Sequence, residues 1–255
     1  MFNLMFFYKH FPRLVFFINR TTGGGVEEEM KLLGLLCDKT KTSLDVGAKV
    51  GMFSYRLLPL SKKVIAFEPI PELYQLIVKS MGKDPRLQIE NYALSETRGS
   101  SVIRIPIQSF GFPKYGRSTI EDANLLPYEN IKSIQEITVK LEKLDDVVKE
   151  DIGFIKIDVE GHEFSVLKGG KKLIAKHHPS FIIESQDMLF KGSVKKIATF
   201  LEKLGYEAFF IYDSKVDYSK NFSTEKHPGV LNFVYVHTSK NISLEDLQNH
   251  LTAQG

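Results

Sequence analysis

Short apolar runs alternate with amphipathic segments along most of the chain from residue 42 onward. The runs KVIAF at Lys63–Phe67 and DIGFIKI at residues 151–157 are continuous and rich in β-branched residues, as expected for strands buried on both faces. Segments 72–81 and 193–204 carry apolar residues at helical spacing. This alternation predicts an α/β domain with a doubly wound, mainly parallel sheet of seven strands.

Three parts of the chain depart from this alternation. Residues 106–135 are polar, show no clear period and lie between two strand-like runs, which predicts an inserted β-hairpin with a long loop. The triplet Gly23-Gly24-Gly25 separates a phenylalanine-rich N-terminal segment from the rest, and residues 213–228 predict a polar loop. We therefore expect an N-terminal aromatic helical arm over residues 1–41, the main domain over 42–240 and a C-terminal tail over 241–255.

Composition fits one globular domain and narrows the choice of partners. The chain has 255 residues, of which 43% are hydrophobic, and a net charge of +3 from 34 basic and 31 acidic side chains. A nucleic-acid partner normally requires a concentrated basic stripe, so we expect none. The single cysteine, Cys37, has no partner for a disulfide or a zinc cluster and is interpreted as a small buried apolar side chain.

The first 20 residues are rich in phenylalanine but are interrupted by charges and a proline. The segment lacks the apolar length of a membrane-spanning helix and the charge order of a signal peptide, so we expect a cytoplasmic protein. Two interpretations of residues 1–20 remain open. The segment is either a helical lid packed on the main domain or an interfacial anchor that makes peripheral contact with a membrane through its phenylalanines.

A strand, a turn and a helix over residues 42–57 form the candidate ligand cradle. In doubly wound sheets, ligands bind at the carboxyl ends of the strands. Gly47 permits a tight turn there, Gly51 permits close approach of the backbone, and Asp45 provides a carboxylate at the strand end. Glu68 closes the next strand at the distance along the chain where an acidic group accepts hydrogen bonds from ribose hydroxyls.

The spacing of the glycines distinguishes between two nucleoside ligands. A dinucleotide site needs G-x-G-x-x-G to pass the pyrophosphate over a helix N-terminus. This chain has G-x-x-x-G, with Lys49 where a middle glycine would stand. A ligand without phosphates, such as S-adenosylmethionine, therefore fits better than NAD. The turn alone is also compatible with a plain connection between a strand and a helix.

Six segments in order resemble the FkbM-type methyltransferases, which are Rossmann-like class I enzymes. The resemblance implies that the main domain is a methyltransferase domain that uses S-adenosylmethionine and methylates a hydroxyl of a sugar, a glycan or a similar metabolite. KIDVEGHE at residues 156–163 is the most specific of the segments. The six segments are LDVGAKVGMFS, FEPIPELYQLI, NYALSE, LDDVV, IGFIKIDVEGHEFSVLKGG and HPSFIIE.

The resemblance also assigns roles to individual residues. The cofactor residues that it implies are Asp45, Gly47, Gly51 and Phe53 in the first loop, Glu68 at the ribose, Pro69, Asn91 and Ala93 at the adenine, and Asp158 near the methionine moiety. Lys49 departs from the family, whose members usually carry Asn at this place. A cation beside the sulfonium is unfavourable when both are desolvated, so Lys49 is expected either to point outward or to pair with Asp45 or Asp158.

Asp158, Glu160 and His162 alternate after a buried strand and would share one face in an extended stretch. We predict His162 as the general base that takes the hydroxyl proton, oriented by Glu160 or by Glu184 at the end of the next strand. Arg117, in the insertion, is a candidate for orienting a polar acceptor. A divalent-metal site and a purely structural helix cap are the alternatives for the triplet; we expect no metal.

Two other functions remain open at this stage. One is a nicotinamide oxidoreductase, which the missing third glycine disfavours. The other is a methyltransferase-like module that has lost catalysis and binds a partner or a membrane, an alternative supported by Lys49 and the aromatic arm.

Overall fold

The computed structural model of the chain describes residues 11, 14, 16, 27–109, 111–121, 130–187 and 190–253. Strands and helices alternate in it as the apolar pattern predicts. The strands are β1 (Thr42–Val46), β2 (Lys63–Phe67), β3 (Leu87–Glu90), β4 (Ala93–Leu94), β5 (Gly99–Gln108), β6 (Ile131–Glu142), β7 (Ile152–Ile157), β8 (Ser180–Glu184), β9 (Tyr206–Tyr212), β10 (Lys215–Tyr218) and β11 (Asn232–His237). The helices are α1 (Leu33–Leu36), α2 (Met52–Leu57), α3 (Pro71–Met81), α4 (Leu144–Val147), α5 (Glu163–Gly169), α6 (Lys171–His177), α7 (Ser193–Glu202) and α8 (Leu244–Ala253).

The central sheet has the order β10-β9-β11-β8-β7-β1-β2-β3. Its neighbours from β8 to β3 pair in parallel, which confirms the predicted parallel interior. The pairs β8–β11, β11–β9 and β9–β10 are antiparallel, so the sheet is mixed and has eight strands rather than the predicted seven.

The additional strand, β10, lies in the segment that the sequence predicts as a polar loop. Asp213 and Ser214 both adopt positive φ, at 49° and 58°, and Lys215 pairs directly with Tyr212. Such a two-residue turn is typical of tight hairpins, where glycine or asparagine is the usual signal. Asp213 and Ser214 stand here instead, so the sequence carries no clear signal for this hairpin. Val216 is buried and anchors the strand.

Helices cover both faces of the sheet, as a doubly wound fold requires. Leu44 and Val46 of β1 point into a core shared with α5, α6 and α7. The opposite face packs against α1, α2 and α8. Leu247 and Leu251 of α8 are buried, so the helix of the predicted tail packs on the main domain, while the division of the chain into domains stays a prediction.

The segment 163–177 forms two helices, α5 and α6. Gly170 separates α5 from α6, and a Cβ at this position would lie 2.6 Å from Leu144 Cδ2. The close packing of α4 against this glycine explains the break.

The insertion after β3 is an antiparallel hairpin, as predicted, although its strands β5 and β6 are longer than the sequence indicates. Together with β4 they form a separate three-stranded sheet. Ile103 and Ile105 of β5 pack against Ile70 and Leu73 at the start of α3. The segment after β5 returns along it, with a bridge between Arg104 and Thr119. The hairpin therefore carries residues 115–121 to the carboxyl ends of the central strands.

The predicted N-terminal arm lies mostly outside the described residues, and so does its predicted membrane contact. Of its aromatic residues, Phe16 packs edge-on against Tyr55 of α2, with 5.3 Å between ring centroids. In the part of the chain that the structure describes, no helix combines the length and the apolar character needed to cross a bilayer.

Candidate functional site

A cavity of about 580 Å³, partly open to solvent, lies at the carboxyl ends of β1, β2 and β7. This is the place where doubly wound sheets bind their ligands. The residues that line it come from the strand ends, from β4 and from the insertion. They are Val46, Gly47, Lys49, Phe67, Glu68, Pro69, Ile70, Leu73, Tyr92, Ala93, Leu94, Ile103, Tyr115, Ser118, Ile120, Asp158, Val159, Glu160 and His162.

The loop after β1 is held between the two neighbouring strands. Gly47 adopts φ +83°, and a Cβ on it would lie 2.0 Å from the carbonyl oxygen of Asp158. Gly47 N and Ala48 N both donate to Phe67 O, at 3.0 and 3.1 Å. Only glycine permits this approach of β7 to the loop, which accounts for the first glycine of the predicted cradle.

Glu68 lies at the centre of the cavity wall and is only 3% exposed. Its Oε2 accepts a hydrogen bond from Lys49 N at 2.8 Å, and its Oε1 accepts one from Ile70 N at 2.9 Å. Burial raises the pKa of Glu68 to about 8, although both backbone donors oppose this shift. The carboxylate thus fixes two loops and keeps lone pairs for a ligand that donates hydrogen bonds.

Of the three residues predicted at the adenine, the structure places two in the cavity lining and one outside it. Pro69 and Ala93 line the cavity. Asn91 instead donates from Nδ2 to the carbonyl oxygens of Glu68 and Pro69, at 2.9 and 3.1 Å. It shapes the loop that the ligand would contact.

Three predicted cofactor residues, Asp45, Gly51 and Phe53, lie outside the cavity lining. Asp45 is buried beneath the loop and accepts a 2.6 Å hydrogen bond from Ser54 Oγ; burial raises its pKa to about 6. Phe53 packs under the ammonium of the buried Lys156, 4.9 Å from the ring centroid. These residues support the loop from below.

Lys49 points inward and occupies the other end of the cavity. Its Nζ lies 3.0 Å from both carboxylate oxygens of Asp158 and 3.3 Å from Glu160 Oε1. Gln186 Nε2 donates to Glu160 Oε2 at 3.0 Å and to Glu184 Oε1 at 2.6 Å. Of the pairings predicted for Lys49, that with Asp158 is present in the structure.

The charges of this cluster shift one another's protonation. Burial raises the pKa of Glu184 to about 8 and raises the pKa of Glu160. Burial acts in the same direction on Asp158, but the nearby ammonium of Lys49 keeps the pKa of Asp158 below its usual value. Burial disfavours the charge on Lys49, yet Asp158 and Glu160 outweigh it and raise the pKa of Lys49.

The predicted alternative of a metal site used the triplet of Asp158, Glu160 and His162. The structure gathers a different set, because carboxylate oxygens of Asp158, Glu160 and Glu184 lie within 4.8 Å of one another. The cation that contacts two of these carboxylates is the ammonium of Lys49.

The chain turns sharply after β7, so Asp158, Glu160 and His162 do not form the extended stretch that the prediction assumed, although all three line the cavity. Glu160 adopts φ +53° and Gly161 φ +107°. Glu163 Oε1 accepts hydrogen bonds from the backbone nitrogens of Val159 and Gly161, at 3.2 and 3.0 Å. This turn sends the side chains of Glu160 and His162 to different partners.

His162 lines the cavity, and its side chain is 12% exposed. Its Nδ1 lies 2.5 Å from Glu121 Oε1, and its Nε2 lies 3.0 Å from Ser95 Oγ. The hydrogen bond to His162 keeps the pKa of Glu121 below its usual value. Glu160 and Glu184, predicted to orient the imidazole, contact Gln186 instead; the carboxylate in that position is Glu121.

The insertion carries Glu121 and is fixed to the turn after β7. Thr119 Oγ1 donates to the carbonyl oxygen of Glu160 at 2.8 Å and accepts from Glu121 N at 3.1 Å. The guanidinium of Arg104 donates to the carbonyl oxygen of Glu121. Arg117, the predicted acceptor-orienting residue, reaches Gln186 Oε1 at 3.4 Å.

Replacing Lys49 tests the charge balance of this cluster. We expect Lys49→Met to lower the free energy of unfolding by about 1–3 kcal/mol at pH 8, because it leaves Asp158 and Glu160 without their cation. The loss should shrink at pH 5. Without Lys49 the folded state binds protons on these carboxylates more tightly than the unfolded state does, so the stability of the variant falls as pH rises.

Urea unfolding at the two pH values measures both effects. Lys63→Met is the matched control, since Lys63 is as exposed as Lys49 (31% against 32%) and pairs with the single carboxylate of Glu150. We expect it to cost less than about 1 kcal/mol with little dependence on pH. Equal losses for Lys49→Met at pH 5 and pH 8 would contradict the charge argument.

The sheet order, the glycine turn after β1 and the carboxylate after β2 define the chain as a Rossmann-like α/β protein with a candidate nucleoside cavity at its strand ends. Residues 45–208 match the methyltransferase FkbM domain. The chain therefore belongs to the FkbM methyltransferase family, which confirms the resemblance seen in its motifs. The predicted cofactor, S-adenosylmethionine, agrees with this family.

Two relatives and one solved structure are similar to this chain. Methyltransferase sdnD of Sordaria araneosa is 30% identical over an alignment of 156 residues, and the match covers 49% of this chain and 59% of sdnD. The 2-O-methyltransferase NoeI of Sinorhizobium fredii is 26% identical over 174 residues, 64% of this chain and 71% of NoeI. The FkbM methyltransferase of Methylobacillus flagellatus aligns with a TM-score of 0.53 at 15% identity, over 82% of this chain and 48% of that protein. This chain thus spans less than two thirds of sdnD and about half of the solved structure.

Proposed function

We propose that this chain transfers the methyl group of S-adenosylmethionine to a hydroxyl oxygen of a sugar, a glycan or a similar metabolite. The observation that carries the proposal is one continuous cavity with Glu68 on one wall and His162, held by Glu121, on another. It combines a candidate ribose acceptor with a candidate base.

The cavity residues suit the parts of the cofactor. Glu68 has the position and the lone pairs to accept hydrogen bonds from both ribose hydroxyls. Pro69, Ile70 and Leu73 provide apolar surface for the adenine. Asp158 and Lys49 would meet the methionine moiety. Asp158, Glu160 and Glu184 gather there, and an approaching cation favours the ionised form of the two carboxyls whose pKa burial raises, which suits a sulfonium.

S-Adenosylmethionine supplies an activated methyl group, so the protein must mainly align an acceptor and remove its proton. His162 Nε2 takes the hydroxyl proton as the new oxygen–carbon bond forms and the sulfur–carbon bond breaks, giving a methyl ether and S-adenosylhomocysteine. Glu121 holds Nδ1–H and stabilises the imidazolium. Ser95 Oγ, which contacts Nε2, marks the position that the acceptor hydroxyl takes or through which its proton passes.

One observation favours a second function. Lys49 Nζ already neutralises part of the acidic cluster at the methionine end of the cavity. A protein that binds S-adenosylhomocysteine or a partner without transferring a methyl group would show the same feature.

Calorimetry on the full chain with S-adenosylmethionine, S-adenosylhomocysteine and NAD separates the possibilities. We expect micromolar binding of the first two and none of NAD, because the G-x-x-x-G turn has no place for a pyrophosphate. Binding of NAD alone, or of none of the three, would overturn the proposal.

Incubation with methyl-labelled S-adenosylmethionine and a panel of saccharides then tests transfer. A methyl ether survives mild base, whereas a methyl ester does not, so stability of the label distinguishes a hydroxyl from a carboxylate acceptor. Base-labile product would refute transfer to a hydroxyl. Cofactor binding without transfer to any member would favour the non-catalytic function.

A further inference from the structure

A groove of about 1090 Å³ lies beside the turn after β7 and has Glu121 and Gly161 in its lining. We call it the lysine groove and define it by Phe164, Lys168, Phe190, Lys191 and Lys196, together with Lys195 of a neighbouring depression that shares Phe164 and Lys196 with it. We propose that the lysine groove binds the acceptor and that the acceptor is an anionic saccharide carrying a phosphate or a sulfate. This inference rests on the function proposed above.

The lysine groove shares residues with the catalytic site. Glu121, which binds His162 Nδ1, also lines this groove, as does Gly161 beside His162. The ring of Phe190 packs so closely on Gly161 that a Cβ there would lie 2.3 Å from it. A molecule in the groove therefore lies against the same turn that positions the base.

Three carboxylates also line the lysine groove, but Glu96, Glu121 and Glu163 are bonded to Lys168, to His162 and to the backbone of the turn, respectively. Among the described residues, the charges of the groove that lack an ion-pair partner are those of lysines. Lys191, Lys195 and Lys196 are exposed, and no carboxylate of the described residues lies within ion-pair distance of any of them. Lys168 pairs with Glu96 at 2.5 Å. Lysine ammonium groups bind phosphate and sulfate as point charges, and a cluster of one sign attracts the opposite charge.

Two of the exposed lysines lie over an aromatic ring that lines the groove. Lys196 Nζ lies 4.1 Å from the centroid of the Phe164 ring, and Lys168 Nζ lies 5.2 Å from the same centroid. The positive charges of both also help to keep the pKa of Glu121 low, after its hydrogen bond to His162. Both ammonium groups therefore lie within electrostatic reach of the catalytic pair.

Half-buried aromatic rings complete the recognition chemistry. Phe164 and Phe190 line the groove, and Phe164 packs edge to face on Phe200 of the neighbouring depression with 5.6 Å between centroids. The C–H face of a sugar ring is apolar and gains free energy by covering such rings. Aromatic surface beside lysines matches a sugar that bears an anionic group better than a neutral sugar or a free anion.

Matched pairs of acceptors test this assignment with the full chain and labelled S-adenosylmethionine. The pairs are methyl glucoside with glucose 1-phosphate, and N-acetylglucosamine with its 6-sulfate; UDP-glucose tests whether the phosphate comes from a nucleotide sugar. We expect kcat/KM at least about tenfold higher for the anionic member of a pair. Equal or better turnover of the neutral members would overturn the proposal.

Variants locate the effect in the lysine groove. The double variant Lys195→Gln/Lys196→Gln should raise KM for the anionic acceptor about tenfold, leave kcat within about twofold and leave the neutral acceptor unaffected. Lys171→Gln, an exposed lysine at the start of α6, is the matched control and should change neither constant. An equal rise in KM for charged and neutral acceptors would contradict the assignment.

A binding measurement decides the case in which no member of the panel is methylated. Glucose 1-phosphate is titrated calorimetrically into the chain saturated with S-adenosylhomocysteine, and the affinity is compared with that of the Lys195→Gln/Lys196→Gln variant. If glucose 1-phosphate does not bind, or binds both proteins equally, the proposed acceptor site in the lysine groove is wrong, and the proposed cofactor site is unaffected. If the chain does not bind S-adenosylhomocysteine at all, the proposed function itself is contradicted.

Discussion

Glu68→Ala is expected to weaken binding of S-adenosylmethionine by about 10²–10⁴-fold. Each hydrogen bond to an ionised group contributes about 1.5–3 kcal/mol, and the carboxylate is positioned to accept one from each ribose hydroxyl. The substitution also removes the acceptor that holds Lys49 N and Ile70 N, at 2.8 and 2.9 Å, so both loops around the ligand lose their anchor.

Calorimetry with S-adenosylmethionine and S-adenosylhomocysteine measures this loss. Glu90→Ala is the matched control, because Glu90 ends the neighbouring strand β3 and lies outside the cavity lining; it should change affinity less than about twofold. A Glu68→Ala protein that unfolds cooperatively and still binds the cofactor like the wild type would exclude Glu68 as the ribose acceptor.

Glu68→Gln separates charge from shape. Because burial raises the pKa of Glu68 to about 8, the cofactor-free protein gains the ionised form as pH rises from 6 to 9, and the ionised form accepts the stronger hydrogen bonds. Affinity of the wild type should therefore increase over this range. The glutamine variant should bind more weakly and show a flatter profile.

The parts of the site that lie directly at strand ends could be predicted from the sequence. The continuous apolar runs of β1, β2 and β7 place Gly47, Glu68 and Asp158 at one edge of a parallel sheet. Their order along the chain is then enough to bring them together, because neighbouring parallel strands end at the same edge. The family motifs occupy these same positions.

The partners of His162 could not be predicted in this way. Glu121 lies in an insertion without hydrophobic periodicity, and it reaches the imidazole only because Thr119 and Arg104 fix the returning segment in three dimensions. Glu160 fails as the partner because its left-handed conformation, at φ +53°, turns the chain where the sequence suggests an extended strand. Left-handed non-glycine residues leave little trace in a sequence.

Asp45 shows a related limit. An acidic residue at the end of β1 is expected to face the ligand, but its position in the strand puts its side chain on the α2 side, where Ser54 Oγ donates to it at 2.6 Å. Side chains alternate along a strand, so the face of a residue is decided by register rather than by proximity to the strand end. In this site, Glu68 and Lys49 supply the inward-facing groups.

His162→Ala is expected to lower kcat about 10²–10⁴-fold on an acceptor that the wild type methylates, which is the usual contribution of a general base. The imidazole is held at Nδ1 by Glu121, 2.5 Å away, and faces Ser95 Oγ with Nε2. Binding of S-adenosylmethionine should change less than about twofold, because Glu68 lies on a different wall of the cavity and does not contact His162.

Two further variants separate the base from its supports. Glu121→Gln keeps a hydrogen-bonding partner for Nδ1 but removes the charge that stabilises the imidazolium, so kcat should fall about 10–100-fold with an unchanged affinity for the cofactor. His177→Ala is the matched control, since His177 also bonds a carboxylate through Nδ1, at 2.9 Å from Asp151, but lies outside the cavity lining. It should leave kcat within about twofold. A kcat of His162→Ala within about threefold of the wild type, as for the control, would show that His162 is not the base. Glu121 and Ser95 would then only support the imidazole ring.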